Sequence, residues 1–400
     1  MTTTQPVIVA GAGPAGSLLA LYLAQHDIPV ILLEKEDSLP IDLRASTFHP
    51  PSLEMLDKLG VTEKLIAKGL VVDKYQYRDR RTGEVAEFDM SIIADETAFP
   101  FRLQLEQYEM TIIVGEMLKD YPHVQVRFGC KVVDSSQTDD LVSVDIETPA
   151  GKETLTTPFL IGCDGASSNV RKSAGIGYGG FTYDEKFLVV STDFPFEQVF
   201  DNLSYVNYVS DPEEWCVILR TEKKWRVLWP TTSDITDETY LSDDYIQARL
   251  QHLYAKDGEY DIGHRTLYNV HQRVSEIYYN GRIVLAGDSC HINNPLGGMG
   301  MNGGLHDADN LAEKLVAIIN DGADHIEKFK HYDRQRRELA VKFVQEHTIS
   351  NKKLMESTET EVQIARQKML METAADPIKS KAFVMERAML NCVRDSLAVE

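Results

Sequence analysis

Residues 7–34 place a glycine-rich turn between two short apolar strands. Val7-Ile-Val-Ala runs directly into Gly11, Gly13 and Gly16, a helix-compatible stretch follows, and a second apolar run, Val-Ile-Leu-Leu, ends at Glu34. The first glycine of such a turn permits the tight reversal and the second lets backbone approach a pyrophosphate. The third lets the helix pack closely against the strand. The helix start then offers free N–H groups and a positive dipole end to phosphates. Glu34 falls at the end of the second strand, where a carboxylate can bond both ribose hydroxyls. This spacing predicts a βαβ unit holding an adenine dinucleotide, and by itself does not distinguish FAD from NAD.

Four hundred residues with 43% hydrophobic content can bury a large core and suggest two or three structural units. The opening Met-Thr-Thr-Thr-Gln-Pro lacks a signal-peptide pattern and no apolar run is long enough to span a bilayer, so a soluble, cytoplasmic chain with no membrane partner is expected. Cys130, Cys163, Cys216, Cys290 and Cys392 are scattered with no CxxC pair, as expected of free thiols. A net charge of −21 argues against nucleic acid as a partner, while a local arginine can still hold an anionic substrate.

Further along, residues 51–67 carry apolar residues at helical spacing and 73–91 read as a hairpin turning at Arg81-Thr82-Gly83. A helix is expected over 105–120, strands over 124–128 and 141–147, and a buried strand from Leu160 into the acidic turn Asp164-Gly165. From about 185 to 232, aromatic-rich alternation predicts an antiparallel sheet with one covered face. The last 90 residues read as helical and amphipathic. A nucleotide domain (1–75, 98–182 and 270–345) is thus interrupted by a β-rich substrate domain (76–97 and 183–269), with a helical segment at 346–400.

Two later motifs narrow the cofactor. Residues 283–315 form a buried strand, the turn Gly287-Asp288, a glycine-rich loop from Pro295 to Asn302 and a helix. Asp288 can aim a carboxylate at a sugar hydroxyl. A helix start free of side chains suits the N1–C2=O edge of a flavin, which gains negative charge on reduction.

With these motifs in order, the sequence resembles the class A flavoprotein aromatic hydroxylases, the para-hydroxybenzoate hydroxylase-like FAD-dependent monooxygenases. The N-terminal G-x-G-x-x-G, the central Asp164-Gly165, and Gly287-Asp288 followed by Pro-Leu-Gly-Gly carry the likeness, and Tyr332-Asp-Arg-Gln-Arg336 adds to it. The resemblance implies an α/β architecture: a Rossmann-like FAD-binding domain of the GR2 type, a β-rich substrate domain and a helical tail. It also implies tightly bound FAD, NADPH or NADH as transient electron donor, and O2 as co-substrate. Activity is then hydroxylation of a small aromatic ring, phenolic or heteroaromatic and in some cases carboxylated, through a flavin C4a-hydroperoxide. The protein would be a monomer or a homodimer.

Carried over by position, the resemblance assigns Gly11, Gly13, Ala15 and Gly16 to the phosphates, and Glu34 with Lys35 to the adenosine ribose. Arg44 and Gln104 flank the pyrophosphate and ribityl chain, and the backbone at Val132 touches adenine. Asp164 and Gly165, with Arg171 nearby, serve FAD and NAD(P)H, while Gly287 and Asp288 face the ribityl chain. Pro295, Gly297, Gly298 and Gly300 line the flavin side, and the N–H groups of Met301 and Asn302 hold the pyrimidine edge. Met299 departs from the glutamine common at its position. His291 is read as satisfying backbone near the loop, with proton donation as the alternative, and Cys290 as a small buried filler. In the β-rich insert, Arg220 and Arg226 are candidates for a substrate carboxylate, and Tyr205, Tyr208 and Trp229 for the ring. Ordinary sheet positions are the competing reading for each of these. The other functions open at this stage are an epoxidase or other oxidoreductase of the same fold, and a non-catalytic flavin-binding protein.

Overall fold

The computed structural model describes residues 5–41, 43, 45–211, 213–345, 348–350, 352–353 and 359–399. Its first layer is a six-stranded sheet in the spatial order Tyr279–Asn280, Ile283–Leu285, Leu160–Gly162, Val7–Ala10, Val30–Leu33, Val124–Arg127. All neighbours are parallel except the outermost hairpin. The inner strands are continuous apolar runs because they are buried in one core shared with the helices and with Val132, Val142, Val144 and Ile146. On one side lie Pro14–Gln25, Gln107–Leu118 and the 23-residue helix Met299–Asp321, whose apolar residues share one core with the strands.

The strand order decides where the chemistry falls. The strands that precede the three acidic or glycine turns are direct neighbours: Ile8 is registered with Leu160, and Leu160 with Ile283. Their carboxyl ends therefore bring Gly11, Asp164 and Gly287 to one edge of the sheet, as expected of open parallel sheets.

A second, eight-stranded sheet forms a wall. Its order is His291–Ile292, Ile262–Ser275, Tyr178–Thr192, Trp225–Pro230, Cys216–Arg220, Val206–Ser210, Lys74–Asp79, Val85–Asp89. It is antiparallel apart from the parallel pair Val206–Ser210 and Lys74–Asp79. The expectation of one covered face is corrected: both faces are buried. Leu188, Val190, Ile218, Trp225, Val227 and Trp229 pack outward under the helix Asp243–Leu253. Tyr75, Phe88, Phe187, Tyr208 and Val217 pack inward with Leu296, Leu370 and Val384. The inner face is closed by the C-terminal helices Thr360–Ala375 and Pro377–Arg387, with Leu390–Ala398 beyond. The strands Tyr178–Thr192 and Ile262–Ser275 pair along most of their length and each continues across 182/183 and 269/270, with a shift of register between Thr182 and Lys186.

Three local expectations are also corrected. The helix expected over 51–67 is two, Pro50–Lys58 and Thr62–Ile66, because Gly60 takes a left-handed φ of 72°. The strands Lys131–Gln137 and Gly151–Thr157, unforeseen in their polar sequence, flank Val142–Thr148 in a small antiparallel sheet. The strand Ile262–Ser275 was likewise not anticipated. All five cysteines are free, and among the described residues no helix is long and apolar enough to cross a membrane.

Candidate active site

A cavity of about 1270 Å³ opens at the edge where the three turns meet. Its walls include Gly11, Gly13, Ala15, Glu34, Lys35 and Val132 on the N-terminal side. Asp164, Gly287, Asp288, Gly300 and Met301 complete it. The glycine turn is sterically determined. Gly11 has φ +102°, and a Cβ there would lie 2.4 Å from the Cys163 carbonyl oxygen. A Cβ on Gly16 would lie 2.0 Å from the Gly11 oxygen, so the helix can rest on the turn only without a side chain. At Gly13 nothing of the protein lies within 4 Å, which leaves open space against the cavity. Gly13 is also the N-cap of Pro14–Gln25 and no side chain caps that helix, so its first N–H groups face the cavity. This is a cradle shaped for a phosphate group, and the residues present fit an FAD.

Glu34 is almost fully buried. Its Oε2 accepts from the Ala12 N–H at 2.9 Å and its Oε1 from the Glu36 N–H at 3.1 Å, which fixes the carboxylate between the turn and the cavity. Lys35 is exposed beside it. Asp164 is committed structurally: its carboxylate accepts from the N–H groups of Asn169 (2.8 Å) and Val170 (3.2 Å) and from the Ser168 hydroxyl, capping the short helix Asn169–Ser173. Asn169 in turn donates to the Val132 carbonyl at 2.8 Å, tying that backbone to the same wall. Arg171 donates to the carbonyls of Ser289 and Ala166 and stacks 3.9 Å over the Tyr178 ring.

Asp288 is exposed into the cavity, and the turn carrying it is held from below by residues that the sequence reading missed. Asp307, fully buried, accepts from the Gly287 N–H (3.2 Å), His291 Nε2 (2.7 Å) and Arg336 Nε (2.8 Å). Burial alone would raise its pKa, but His291 and Arg336 outweigh that and hold it at about 2. His291 is thus a buried partner of Asp307 and does not line the cavity. Tyr332 donates to the Leu285 carbonyl at 2.8 Å, so the Tyr332–Arg336 segment acts as a brace. Arginine at helical spacing from a tyrosine was visible in the sequence. Its buried aspartate partner was hidden in the helix of the glycine loop.

The loop after Pro295 is fastened by Asn302. Its Oδ1 accepts from the His49 N–H at 2.9 Å, and its Nδ2 donates to the carbonyls of Thr47 and Gly298. Gly298, at φ +67°, is the N-cap of Met299–Asp321 and no side chain caps that helix, so Met301 and Asn302 stand in its first turn. The Met299 side chain is turned away into a cluster with Leu339, Met389 and Cys392. Gln104 accepts from the Thr47 hydroxyl at 3.0 Å, and its buried Nε2 has no partner among the described residues. Gly16, Gln104, Asn302, Pro295, Gly297 and Gly298 do not line the large cavity, and Arg44 lies outside the described residues.

The substrate candidates are dispersed. Trp229 is on the outer face of the wall, and Tyr205 is 39% exposed near Trp225. Arg220 is half-buried, 5.9 Å over the Trp225 ring. Arg226 is buried and paired with Glu106 at 2.6 Å, beside a smaller cavity of about 170 Å³. Tyr208 alone joins an inner cluster, stacked 4.8 Å from Tyr77. That cluster holds Tyr75, Arg102 and His49, none singled out from sequence. Arg102 lies 4.2 Å over the Tyr75 ring, and His49 Nε2 donates to the Gly297 carbonyl at 2.8 Å.

Comparison with known proteins agrees with this geometry. A family profile described as "FAD binding domain" matches residues 4–347. The chain is 30% identical over 400 residues to para-nitrophenol 4-monooxygenase of Pseudomonas sp. (strain WBC-3), covering 98% of this chain and 97% of that one. It is 31% identical over 346 residues to 6-hydroxy-3-succinoylpyridine 3-monooxygenase HspB of Pseudomonas putida (strain DSM 28022 / S16), covering 84% and 86%. The crystal structure of p-nitrophenol 4-monooxygenase PnpA from Pseudomonas putida DLL-E4 superimposes with a TM-score of 0.91 at 29% identity, covering 98% of this chain and 99% of that one. A phosphate-shaped glycine cradle, a wall sheet closed over the same edge and relatives matched along nearly their whole length lead to one assignment: the chain belongs to the FAD-binding family of class A flavoprotein aromatic hydroxylases.

Proposed function

We propose that this protein uses NAD(P)H and O2 to place one oxygen atom on a small phenolic or heteroaromatic ring. The observation that carries the reading is the adjacency of the three motif strands, which aims the glycine turn, Asp288 and the start of Met299–Asp321 at one cavity beside a wall sheet. The names of the relatives, a nitrophenol and a hydroxypyridine monooxygenase, support a hydroxyl-bearing substrate of one-ring size.

In this reading the helix start at Gly13 binds the pyrophosphate. Glu34, already oriented by two backbone N–H groups, bonds the adenosine ribose, with Lys35 and the Val132 backbone alongside. Asp288 meets the ribityl chain, and the first-turn N–H groups at Met301 and Asn302 stabilise negative charge at the pyrimidine edge. When bound, FAD would supply hydride uptake and oxygen activation, which no side chain of the protein can provide. The chain's own part is to orient the ring and to keep water out, and the buried inner face of the wall suits both.

The test is a screen of phenols and aromatic acids for stimulated oxidation of NADPH and NADH by the FAD-loaded protein, with product masses measured. Gain of one oxygen by at least one ring compound is expected. If every ring compound leaves unoxidised and nucleotide consumption is indifferent to all of them, the monooxygenase reading is wrong.

A further inference from the structure

Three non-glycine residues among the described ones take a left-handed φ. Asp27 and Asn202 are exposed and of the types that tolerate this region, because a short polar side chain can bond its own backbone. Met389 is neither. It has φ +63° and ψ 14°, is 0% exposed, and carries a long side chain for which this backbone is unfavourable. A strained residue persists only where its surroundings fix it, and such positions gather at functional sites. Met389 stands between two helices, Pro377–Arg387 and Leu390–Ala398. Its N–H donates to the Glu386 carbonyl at 3.1 Å, and its own carbonyl accepts from the Val393 N–H at 3.3 Å.

The turn bears on the glycine-rich loop. Met389, Met299, Leu339 and Cys392 form a buried cluster separate from the main core. Met299 opens the helix Met299–Asp321 directly after its left-handed N-cap Gly298, two residues before Met301. Leu339 ends His325–Leu339, the helix from which Arg336 braces Asp307. Polar bonds tie Leu390–Ala398 to that same brace. The Ser396 hydroxyl donates to the Gln335 carbonyl at 3.2 Å, and Gln335 Nε2 and His331 Nε2 donate to the Val399 carbonyl at 3.2 and 3.0 Å. Gln335 Oε1 also accepts from Lys314 Nζ at 2.7 Å, which links the brace back to Met299–Asp321. One short helix therefore meets both supports of the flavin site, the helix start through Met299 and the Gly287–Asp288 turn through the helix of Arg336.

We propose that Met389 and Met299 are positioning residues: the strained turn at Met389 sets where the first-turn N–H groups of Met299–Asp321 stand relative to the flavin, and thereby the stability of reduced over oxidised FAD. The proposal rests on the reading above that puts the pyrimidine edge of the flavin at this helix start. Negative charge develops at that edge on reduction, so a displaced helix start weakens the reduced form more than the oxidised one. Lost packing alone weakens both forms alike and leaves the reduction potential where it was.

The experiment measures the midpoint potential of the flavin in the FAD-loaded protein and the FAD affinity of the stripped protein. Met389→Gly keeps the left-handed backbone, which glycine adopts freely, and deletes only the side chain. Its affinity for reduced FAD is expected to fall roughly tenfold more than its affinity for oxidised FAD, a negative shift of about 30 mV for a two-electron couple. Met389→Leu, close in volume, should restore the wild-type potential. Cys392→Ala, a smaller deletion in the same cluster, should shift the potential in the same direction by a smaller amount. Ile246→Ala, which opens the outer core of the wall, should lower stability without moving the potential. An unchanged potential in Met389→Gly, or in Cys392→Ala where the glycine variant does not fold, overturns the proposal, as does an equal shift in Ile246→Ala. Met301→Pro removes one N–H from a first turn that tolerates proline and should by itself lower the potential. If it does not, the placement of the flavin edge fails and takes this proposal with it.

Discussion

Replacing Asp307, which does not itself line the cavity, with alanine should loosen the Gly287–Asp288 turn from beneath. The carboxylate accepts from three donors in a fully buried setting, and two of them, His291 and Arg336, are side chains 1% and 3% exposed. Once it is gone, Arg336 keeps one long contact to the Gly303 carbonyl at 3.4 Å. Breaking a buried ion pair from one side costs about 3–5 kcal/mol, a large share of the ~5–15 kcal/mol that holds a typical domain together. Asp307→Asn, which retains an acceptor, should cost about 1–3 kcal/mol. The assay is urea unfolding of the FAD-loaded and FAD-stripped protein, with flavin release on gel filtration as a second readout. Both variants should lower the midpoint in the order Ala below Asn, and Asp307→Ala should release flavin. The pH dependence has a definite sign. The folded-state pKa of Asp307, about 2, lies below its ordinary 3.8, so its contribution is fully present above about 4 and is lost as pH falls through that interval toward 2. Asp307→Ala should therefore show a shallower loss of stability across that window than the wild type. An unchanged midpoint together with retained flavin in Asp307→Ala would refute the role of the buried network.

Two further outcomes separate backbone roles from packing roles. Gly16→Ala would place a Cβ 2.0 Å from the Gly11 backbone oxygen and should both destabilise the protein and strip flavin. Gly13→Ala, at an ordinary φ of −70° and with nothing of the protein within 4 Å, should leave the flavin-free protein as stable as the wild type and weaken FAD retention alone. The ratio of flavin to protein absorbance, read beside thermal melting of the stripped protein, distinguishes the two. On the wall sheet, Trp229→Ala removes a 1%-exposed ring from the outer core and should cost about 3–5 kcal/mol in stability. KM for the ring substrate should stay unchanged, since Trp229 packs in the outer core and lines neither cavity, and a raised KM in a folded variant would count against that placement.

The nucleotide-binding half was legible because its determinants are local. A turn that excludes a Cβ needs glycine whatever surrounds it, and a strand covered on both faces is a continuous apolar run, so Gly11, Gly16 and the strands behind them could be read without knowing their neighbours. The wall sheet offered no such handle. Alternation tells which residues share a face but not which face meets the cofactor, and here both faces are buried. Trp229 and Tyr208 were therefore equally plausible ring contacts, although the sheet sends one outward and the other inward. Charge alone does not separate Arg226, neutralised by Glu106 some 120 positions earlier in the chain, from Arg102, which has no carboxylate partner among the described residues. The same limit hid Asp307, whose three partners come from a turn, a short strand and a separate helix. A backbone requirement is written in one residue, whereas an unpaired charge is a property of everything folded around it. That is why the inner cluster of Arg102, Tyr75 and Tyr208 is not legible in the sequence.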